Sequence, residues 1–411
     1  MKKLIILLAI LCLAGVTVVA CTVGKAPAAP AAEVETPADA AEPVEDAAET
    51  ADTEPVEDAA PTGAEETQSL DLEALYALHD PDEIVMTIDG EEIPWRDYFY
   101  FYQSHVAQLE QQFQMYQAYG YALGWNSPAD EEGHTYAELV GTEVENTMRQ
   151  ILGVEALAKD LNVQLTEEEQ AEMQQNHRDL IAARFGEEGT EEQLYEFLDS
   201  LHVSPELYWR INSYAYLLDA CMREVGGKDG ELLDEQEVLD WMEKNGILSA
   251  NHILISTTDL DESAKAEKSA LARQIAEELQ AIEDVEERIA RFLELQEQYN
   301  EDPGTVEKGY VFGPGVMVQE FYDGTQALEE NQVSDPVESQ FGYHIILRRP
   351  LHAEDEIFTG GYSNSTARVM AASERFSALM DGKIESQQVV YAEGFTAPDL
   401  AAYLPSDTSE K

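Results

Sequence analysis

Two short apolar runs, each led by a histidine, enclose a helical stretch between residues 251 and 349. His252 is followed by Ile-Leu-Ile, and His344 is followed by Ile-Ile-Leu. Each run predicts a short buried strand. Between them, residues 262–299 place apolar side chains at helical spacing. This pattern requires a small α/β domain in which two polar rings lie next to apolar strands.

An acidic residue, Asp302, lies in the connection between the helical stretch and the second strand. A histidine beside an apolar strand is usually a core residue with its hydrogen bonds satisfied, and this interpretation stays open for His252 and His344. Buried polar groups nevertheless need partners. Two such strands in one domain, with Asp302 in the loops, favour a shared hydrogen-bonded interior.

The order of four local motifs resembles a parvulin-type peptidyl-prolyl isomerase domain, over about a quarter of the chain. The motifs lie in Asn251–Ile255, Tyr299–Gly304, Phe312–Phe321 and Ser334–Ile346. The resemblance implies a catalytic group of two back-to-back histidines and an acid that faces the substrate, here His252, His344 and Asp302. It implies an apolar proline pocket formed by Met317, Phe321 and Phe341.

The implied chemistry needs no metal, nucleophile or cofactor, because it only has to favour the twisted amide over the planar one. Two histidines and a carboxylate could instead form a facial triad for iron. Such sites usually take two ligands from one local motif, whereas His252, Asp302 and His344 are widely separated. A metal site is therefore the weaker interpretation, and cysteine clusters for zinc are absent from the sequence.

Two departures from the parvulin pattern concern activity. The usual double glycine before the second strand reads Lys308-Gly309-Tyr310, and the helix after Phe321 contains Gly324 in a region where a second phenylalanine is common. These changes favour the alternative of a non-catalytic holdase that keeps the fold. A solute-binding lipoprotein, the third alternative, would require repeated βα units that the helical N-terminal half lacks.

The N-terminus indicates export. Met1–Lys3 is basic, Leu4–Val19 is apolar, and Val18–Cys21 resembles a bacterial lipoprotein signal in which Cys21 is lipidated. The apolar stretch is short for a spanning helix, which favours cleavage over a retained anchor. Residues 1–21 are therefore predicted to be a signal peptide with its lipobox, and the mature protein to be tethered to the bacterial cell membrane outside the cytoplasm.

Residues 22–80 are predicted to form a disordered acidic tether, because Ala, Pro, Glu, Asp and Thr dominate its sequence. The whole chain carries 83 acidic and 24 basic residues, for a formal charge of −59. This charge excludes nucleic acid as a partner. Of three cysteines, Cys12 and Cys21 lie in the signal, so Cys221 is left without a disulfide partner in the mature chain.

A second folded region begins near Asp82 with a hairpin whose turn is Asp89-Gly90. Helices are predicted at about 95–116, 136–160, 166–184, 190–200, 204–225 and 234–245. This arrangement is similar to the chaperone region of the SurA and PrsA group of extracytoplasmic foldases. The resemblance implies an α+β fold: a helical chaperone domain formed by 81–248 and 351–411, with a parvulin-like α/β domain inserted at 249–350.

The first long helix and the loop after it are unusually aromatic. Most of these side chains are predicted to lie in the helix core, but five have no obvious buried face: Tyr100, Phe101, Met115, Tyr119 and Tyr121. An exposed apolar patch would bind unfolded clients. The sequence thus predicts a membrane-tethered foldase that isomerises X-Pro bonds in secreted polypeptides and holds unfolded ones.

Overall fold

The structure is a computed structural model that describes residues 70–304, 308–359 and 365–403. The predicted signal peptide, the lipidation site Cys21 and most of the predicted tether lie outside these residues. Within them, no helix has the length and apolar character needed to cross a membrane.

The predicted C-terminal boundary of the tether, at residue 80, is wrong because residues 72–76 are folded. Leu72–Tyr76 forms a short helix, α1, capped by Asp71, and Leu75 is fully buried. The Tyr76 ring lies against Phe99, and the Tyr76 carbonyl accepts a hydrogen bond from the Trp95 indole at 2.8 Å. The prediction of disorder was wrong here because these contacts join residues about twenty positions apart.

The remaining helices follow the predicted spacing closely, and the stretch 262–299 is divided into two helices. They are α2 Trp95–Ala118, α3 Tyr136–Asp160, α4 Glu167–Phe185, α5 Glu191–Asp199, α6 Pro205–Gly226, α7 Glu235–Lys244, α8 Glu262–Gln280, α9 Val285–Tyr299, α10 Gln319–Gln326 and α11 Ala367–Glu385. The strands are β1 Ile84–Ile88, β2 Glu91–Pro94, β3 Leu248–Ser256, β4 Tyr310–Phe312, β5 Val337–Ser339, β6 Gly342–Arg349, β7 Glu356–Ile357, β8 Ser365–Thr366 and β9 Val389–Tyr391. A 3₁₀ turn spans Leu400–Tyr403.

The chain forms two compact units, and helices α3, α4 and α6 contribute residues to both. Of the described residues, the first unit contains 70–152, 173–213 and 387–403, and the second contains 153–172, 214–304, 308–359 and 365–386. Helices and sheets coexist in these units, which confirms the predicted α+β class.

The first unit contains a three-stranded antiparallel sheet in the order β2-β1-β9. The turn between β1 and β2 uses Asp89 and Gly90 at positive φ, as the sequence predicted. The C-terminal strand β9 pairs with β1 through Met86–Ile88. Consecutive aromatic side chains at the start of α2 are buried. Among their contacts, the Phe395 ring packs edge-on to the Trp95 ring.

The predicted exposed aromatic set is only partly correct. Tyr100 and Phe101 are 0% and 4% exposed, because the first turns of α2 are buried on all sides. Met115, Tyr119 and Tyr121 are 52%, 77% and 52% exposed, as predicted. The exposed members of this set therefore lie at the C-terminal end of α2 and in the loop that follows it.

The second unit contains a four-stranded antiparallel sheet in the order β4-β3-β6-β5. Helices α8 and α9 pack on one face, where Ile253, Ile255 and Ile345 join Phe292 in a buried core. Helix α10 packs on the other face, where Phe321 contacts Phe312 and Ile346. The sheet thus separates an apolar core from a face that carries α10 and the histidines.

After β6 the chain passes along the outer edge of β4. The amide of Phe358 donates to the Val311 carbonyl at 2.7 Å, and Ala353 and Ile357 join Ile247 in a further core with α7 and α11. Residues 353–358 therefore cover an edge of the sheet that the predicted boundary at 350 would leave open.

Candidate active site in the four-stranded sheet

His252 and His344 lie on the two central strands, β3 and β6. The register pairs Leu254 with His344 and His252 with Ile346, so the histidines are diagonal neighbours on one face of the sheet. Their Nδ1 atoms are 3.3 Å apart, and their rings are near parallel with centroids 5.4 Å apart. Both side chains are buried. The structure thus brings together two residues separated by 92 positions in the chain.

Asp302 is delivered to His252 by the loop after α9. The Asn300 carboxamide accepts from the Leu254 amide at 2.7 Å, and the Glu301 amide donates to the Leu254 carbonyl at 2.9 Å, so the loop follows β3. Asp302 Oδ1 then accepts from the Gly304 amide at 2.9 Å, closing a tight turn. This places Asp302 Oδ2 2.8 Å from His252 Nε2.

Ser339 extends the chain at its other end, with its Oγ 2.7 Å from His344 Nε2. The tautomers follow from the ionised Asp302 carboxylate, which can only accept hydrogen bonds, and from the neutral state of both rings. His252 donates from Nε2 to the carboxylate and accepts at Nδ1 from His344, which in turn accepts at Nε2 from the Ser339 hydroxyl. Ser339, His344, His252 and Asp302 therefore form one continuous, fully satisfied hydrogen-bond chain.

The ionisation states follow from burial and contacts. Burial, followed by the nearby His252, lowers the pKa of His344 to about 4. Burial also lowers the pKa of His252, although Asp302 opposes this effect. Burial acts to raise the pKa of Asp302, but the Gly304 amide and His252 outweigh it and hold that pKa below its usual value. At neutral pH both histidines are neutral, and the carboxylate carries the charge of the group.

An apolar surface adjoins the histidines. The Phe321 ring, on α10, lies edge-on to both imidazoles, at 5.1 Å from His252 and 5.3 Å from His344 between centroids. Phe312 packs against Phe321, and the partly buried Met317 packs against the same cluster. The polar chain therefore lies against an apolar cluster in which Phe312 and Phe321 are buried and Met317 is partly exposed.

Phe341 lies in the two-residue turn between β5 and β6 and is 47% exposed. Its amide donates to Ser339 Oγ at 3.2 Å, and its carbonyl accepts from the Thr257 amide at 3.1 Å. Gly342 follows at a φ of +138°, where an added Cβ would lie 2.2 Å from the Ile255 carbonyl oxygen. Glycine is thus required for the turn that presents Phe341 beside His344.

The second departure from the parvulin pattern has a packing reason. A Cβ on Gly324 would lie 2.9 Å from Val337 and 3.2 Å from Ile346. The glycine therefore allows α10 to approach β5 and β6 closely, so this departure preserves the fold.

The metal alternative fits this geometry poorly. Both nitrogens of His252 are engaged, one with Asp302 and one with His344, so the three residues form a line instead of converging on one point. Within the described ranges, one His/Cys/Asp/Glu group has ligand atoms close enough to hold an ion, namely Asp130, Glu132 and His134, on an exposed loop.

Three residues near the site were not identified from the sequence: Tyr310, Phe312 and Ser339. Tyr310 pairs with Ala250 across β3 and β4, and Phe312 pairs with Leu248. Strand alternation places Leu248 and Ala250 on the face of His252, so this register would have identified both aromatic residues. The sequence does not give the register of a three-residue strand.

Comparison with known proteins agrees with the sequence resemblance. A family model described as "Rotamase: PPIC-type PPIASE domain" matches residues 252–349. Foldase protein PrsA 4 of Bacillus cereus is 45% identical over 102 residues, covering 24% of this chain and 30% of that protein. Foldase protein PrsA of Oceanobacillus iheyensis is 28% identical over 234 residues, covering 54% and 64%. A crystal structure of peptidylprolyl isomerase (PrsA) from Bacillus cereus is 22% identical, covers 62% of this chain and 84% of that one, and has a TM-score of 0.23.

Residues 252–349 are thus a parvulin-type isomerase domain similar to those of PrsA foldases and SurA chaperones, and this confirms the recognition made from the sequence. The matched regions span 30% to 39% of the length of the first three PrsA relatives. The activity, clients and location of the whole protein are therefore matters for proposal.

Proposed function

We propose that this protein is an exported, membrane-tethered foldase that catalyses cis-trans isomerisation of X-Pro peptide bonds in secreted polypeptides. The observation that carries the proposal is the contact of the Phe321 ring with both histidines of a chain that ends in the Asp302 carboxylate. His252 then contacts both the Phe321 ring and the Asp302 carboxylate, so an apolar cluster and a fixed charge flank the same imidazole. Asp302, His252 and His344 are the proposed catalytic group, and Met317, Phe321 and Phe341 the proposed substrate contacts.

The chemistry follows from amide resonance. A planar peptide bond has a rotation barrier of about 18–20 kcal/mol, and its carbonyl oxygen carries negative charge that resonance supplies. Twisting the bond removes this resonance and therefore reduces that charge. A carboxylate close to the carbonyl oxygen destabilises the planar form more than the twisted one, which lowers the barrier. Neutral histidines keep the charge localised on Asp302.

An exchange assay on X-Pro peptides tests the activity. The purified protein is expected to accelerate exchange, and Asp302→Asn, which keeps the shape but removes the charge, is expected to lose at least tenfold, equivalent to about 1.4 kcal/mol. Asp335→Asn, at an exposed position of the same unit, serves as the matched control. Full activity in Asp302→Asn would show that the charge has no role, and an inactive parent protein would favour the non-catalytic alternative.

A holdase function is the second candidate, and the exposed side chains of Met115, Tyr119 and Tyr121 support it. Exposed apolar surface can bind unfolded clients. Replacing all three with serine is expected to weaken suppression of client aggregation, measured by light scattering, whereas Leu232→Ser, at another exposed apolar residue, is expected to have no effect. The effect should persist at high salt, because charge-driven binding of basic clients would be screened.

The proposed membrane tether depends on Cys21, which lies outside the described residues. The basic, apolar and Val-Val-Ala-Cys order of Met1–Cys21 supports it. In cells, Cys21→Ser is expected to release the protein from the membrane fraction. An unchanged distribution would favour an uncleaved N-terminal anchor.

A further inference from the structure

Tyr310, in strand β4, contacts the proposed catalytic acid Asp302, which lies in the loop after α9. It is the first residue of β4 and pairs with Ala250 of β3, two positions before His252. Its hydroxyl lies 3.3 Å from Asp302 Oδ2 and within hydrogen-bond distance of the Gly304 carbonyl. The hydroxyl thus lies between the two ends of the turn that carries the acid.

The contacts of Asp302 define what this hydroxyl adds. Oδ1 accepts from the Gly304 amide at 2.9 Å, and Oδ2 accepts from His252 Nε2 at 2.8 Å. The hydroxyl has one proton, so it can donate to either of two acceptors, Asp302 Oδ2 or the Gly304 carbonyl. Burial, followed by the charge of Asp302, raises the pKa of Tyr310 to about 12, so the hydroxyl keeps this proton at neutral pH. Tyr310 can therefore donate to the carboxylate or to the carbonyl at the end of the turn.

The Tyr310 ring is itself held between two other rings. Its centroid lies 5.8 Å from that of His252, in an edge-on arrangement, and 5.9 Å from that of Phe358. Phe358 is fixed to β4 by the hydrogen bond from its amide to the Val311 carbonyl at 2.7 Å. Because the Tyr310 ring is packed between these two rings, the position of its hydroxyl is restricted.

We propose that Tyr310 is a positioning residue that fixes the direction of the Asp302 carboxylate toward the bound X-Pro peptide, acting from the strand opposite the catalytic loop. This inference rests on the proposed isomerase function and extends it to a residue at the point where the sequence departs from the usual parvulin pattern. At this point β4 begins with a tyrosine whose hydroxyl lies 3.3 Å from Asp302 Oδ2. The departure at Lys308-Gly309-Tyr310 thus supports the site instead of marking a loss of activity.

Tyr310→Phe in the full-length protein tests this role, because it removes the hydroxyl and keeps the ring. Hydrogen bonds to charged groups are stronger than neutral ones. The turnover number for an X-Pro peptide is expected to fall about tenfold, equivalent to about 1.4 kcal/mol, while KM changes less than about twofold because the apolar contacts remain. Tyr322→Phe is the matched control, since its hydroxyl donates to a backbone carbonyl, that of Gly246, at 2.8 Å in the same unit.

A second readout does not depend on activity. With ¹³C-labelled aspartate, the Asp302 carboxyl signal, assigned by its loss in Asp302→Asn, reports the titration of this group. In Tyr310→Phe the pKa of Asp302 is expected to rise toward its usual value, and in Tyr322→Phe it is expected to stay unchanged. A residue with only a packing role would lower the melting temperature without moving this titration.

The two readouts separate the inference from the proposed function. An Asp302 titration and a turnover number that both match the parent in Tyr310→Phe would overturn the positioning role. A parent protein without isomerase activity, combined with a shifted titration in Tyr310→Phe, would overturn the proposed function and leave the contact between Tyr310 and Asp302 supported. If Tyr310→Phe lowers turnover and melting temperature as Tyr322→Phe does, and the titration does not move, the role is structural and the inference is wrong.

Discussion

His252 and His344 meet through their Nδ1 atoms at 3.3 Å, so one proton between them fixes the tautomer of both rings. Because His252 also faces Asp302 at 2.8 Å and His344 faces Ser339 at 2.7 Å, each ring nitrogen has one defined partner. The pair therefore connects Asp302, which contacts the β3 histidine, to Ser339 of the β5–β6 hairpin, which contacts the β6 histidine.

This coupling predicts a non-additive effect on stability. Replacing either histidine with alanine leaves buried polar atoms without partners and is expected to lower the free energy of unfolding by about 1–3 kcal/mol. The double variant should lose less than the sum, because the second replacement removes a bond that the first already broke. Urea denaturation of both single variants and the double variant measures this, with the exposed His352→Ala as control. Strict additivity would contradict a shared network.

The apolar surface predicts a separation of activity from stability. Met317 is only partly buried, whereas Phe321 is 2% exposed. Met317→Ala is expected to reduce isomerase activity at least tenfold, equivalent to about 1.4 kcal/mol, with a small change in melting temperature. Phe321→Ala should also cost about 3–5 kcal/mol of stability, as buried phenylalanines do. Exchange assays and thermal melts give both quantities.

Leu328→Ala is the matched control, since Leu328 packs against the same cluster. It is expected to reduce stability and keep activity. Unchanged turnover in Met317→Ala would place the proline contact elsewhere.

The histidines also predict how stability depends on pH. The folded pKa of His344 is lowered to about 4 by burial and then by His252, against an ordinary value of about 6.5. Between these values the unfolded chain binds more protons than the folded one, so stability rises with pH. The free energy of unfolding is therefore expected to fall as pH drops from about 6.5 to about 4.

Asp97 opposes this trend in the other unit. Burial raises its pKa to about 6, so its contribution is lost as pH rises through that value. Comparing the parent with His344→Ala isolates the histidine, and the variant is expected to show a weaker decline of stability on acidification. An identical slope in the two proteins would show that His344 does not titrate in this window.

The edge contact of Phe358 predicts where the isomerase domain can be cut. A fragment of residues 246–352 lacks Ala353, Ile357 and Phe358, which pack on or bond to residues of the sheet. Both 246–352 and 246–359 are expected to give dispersed amide spectra, because each contains all four strands of the sheet and its helices. The longer fragment should melt at a higher temperature. Equal melting temperatures would contradict a stabilising role for this edge, and an undispersed spectrum of the longer fragment would contradict an independent domain.

The sequence alone determined the local elements of this protein. Helical spacing predicted α3 to α7 to within two residues at either end, and the Asp89-Gly90 turn was predicted because few residue pairs adopt positive φ so readily. The order of parvulin motifs also identified His252, Asp302 and His344, which the structure places in one hydrogen-bonded group. Each of these signals lies within a short stretch of chain.

Only the tertiary structure decided which side chains share an environment. Tyr100 and Phe101 face no apolar stripe on their own helix, yet they are buried because neighbouring elements surround the start of α2. Tyr310 reaches Asp302 because β4 pairs with β3 in one register, and a shift of one residue would turn its ring to the other face. Periodicity and propensity are local properties, whereas burial and register depend on segments that are far apart in the chain. The parvulin resemblance predicted the contacts of His252 with Asp302 and His344, whereas the contact of Tyr310 with Asp302 could not be predicted from the sequence.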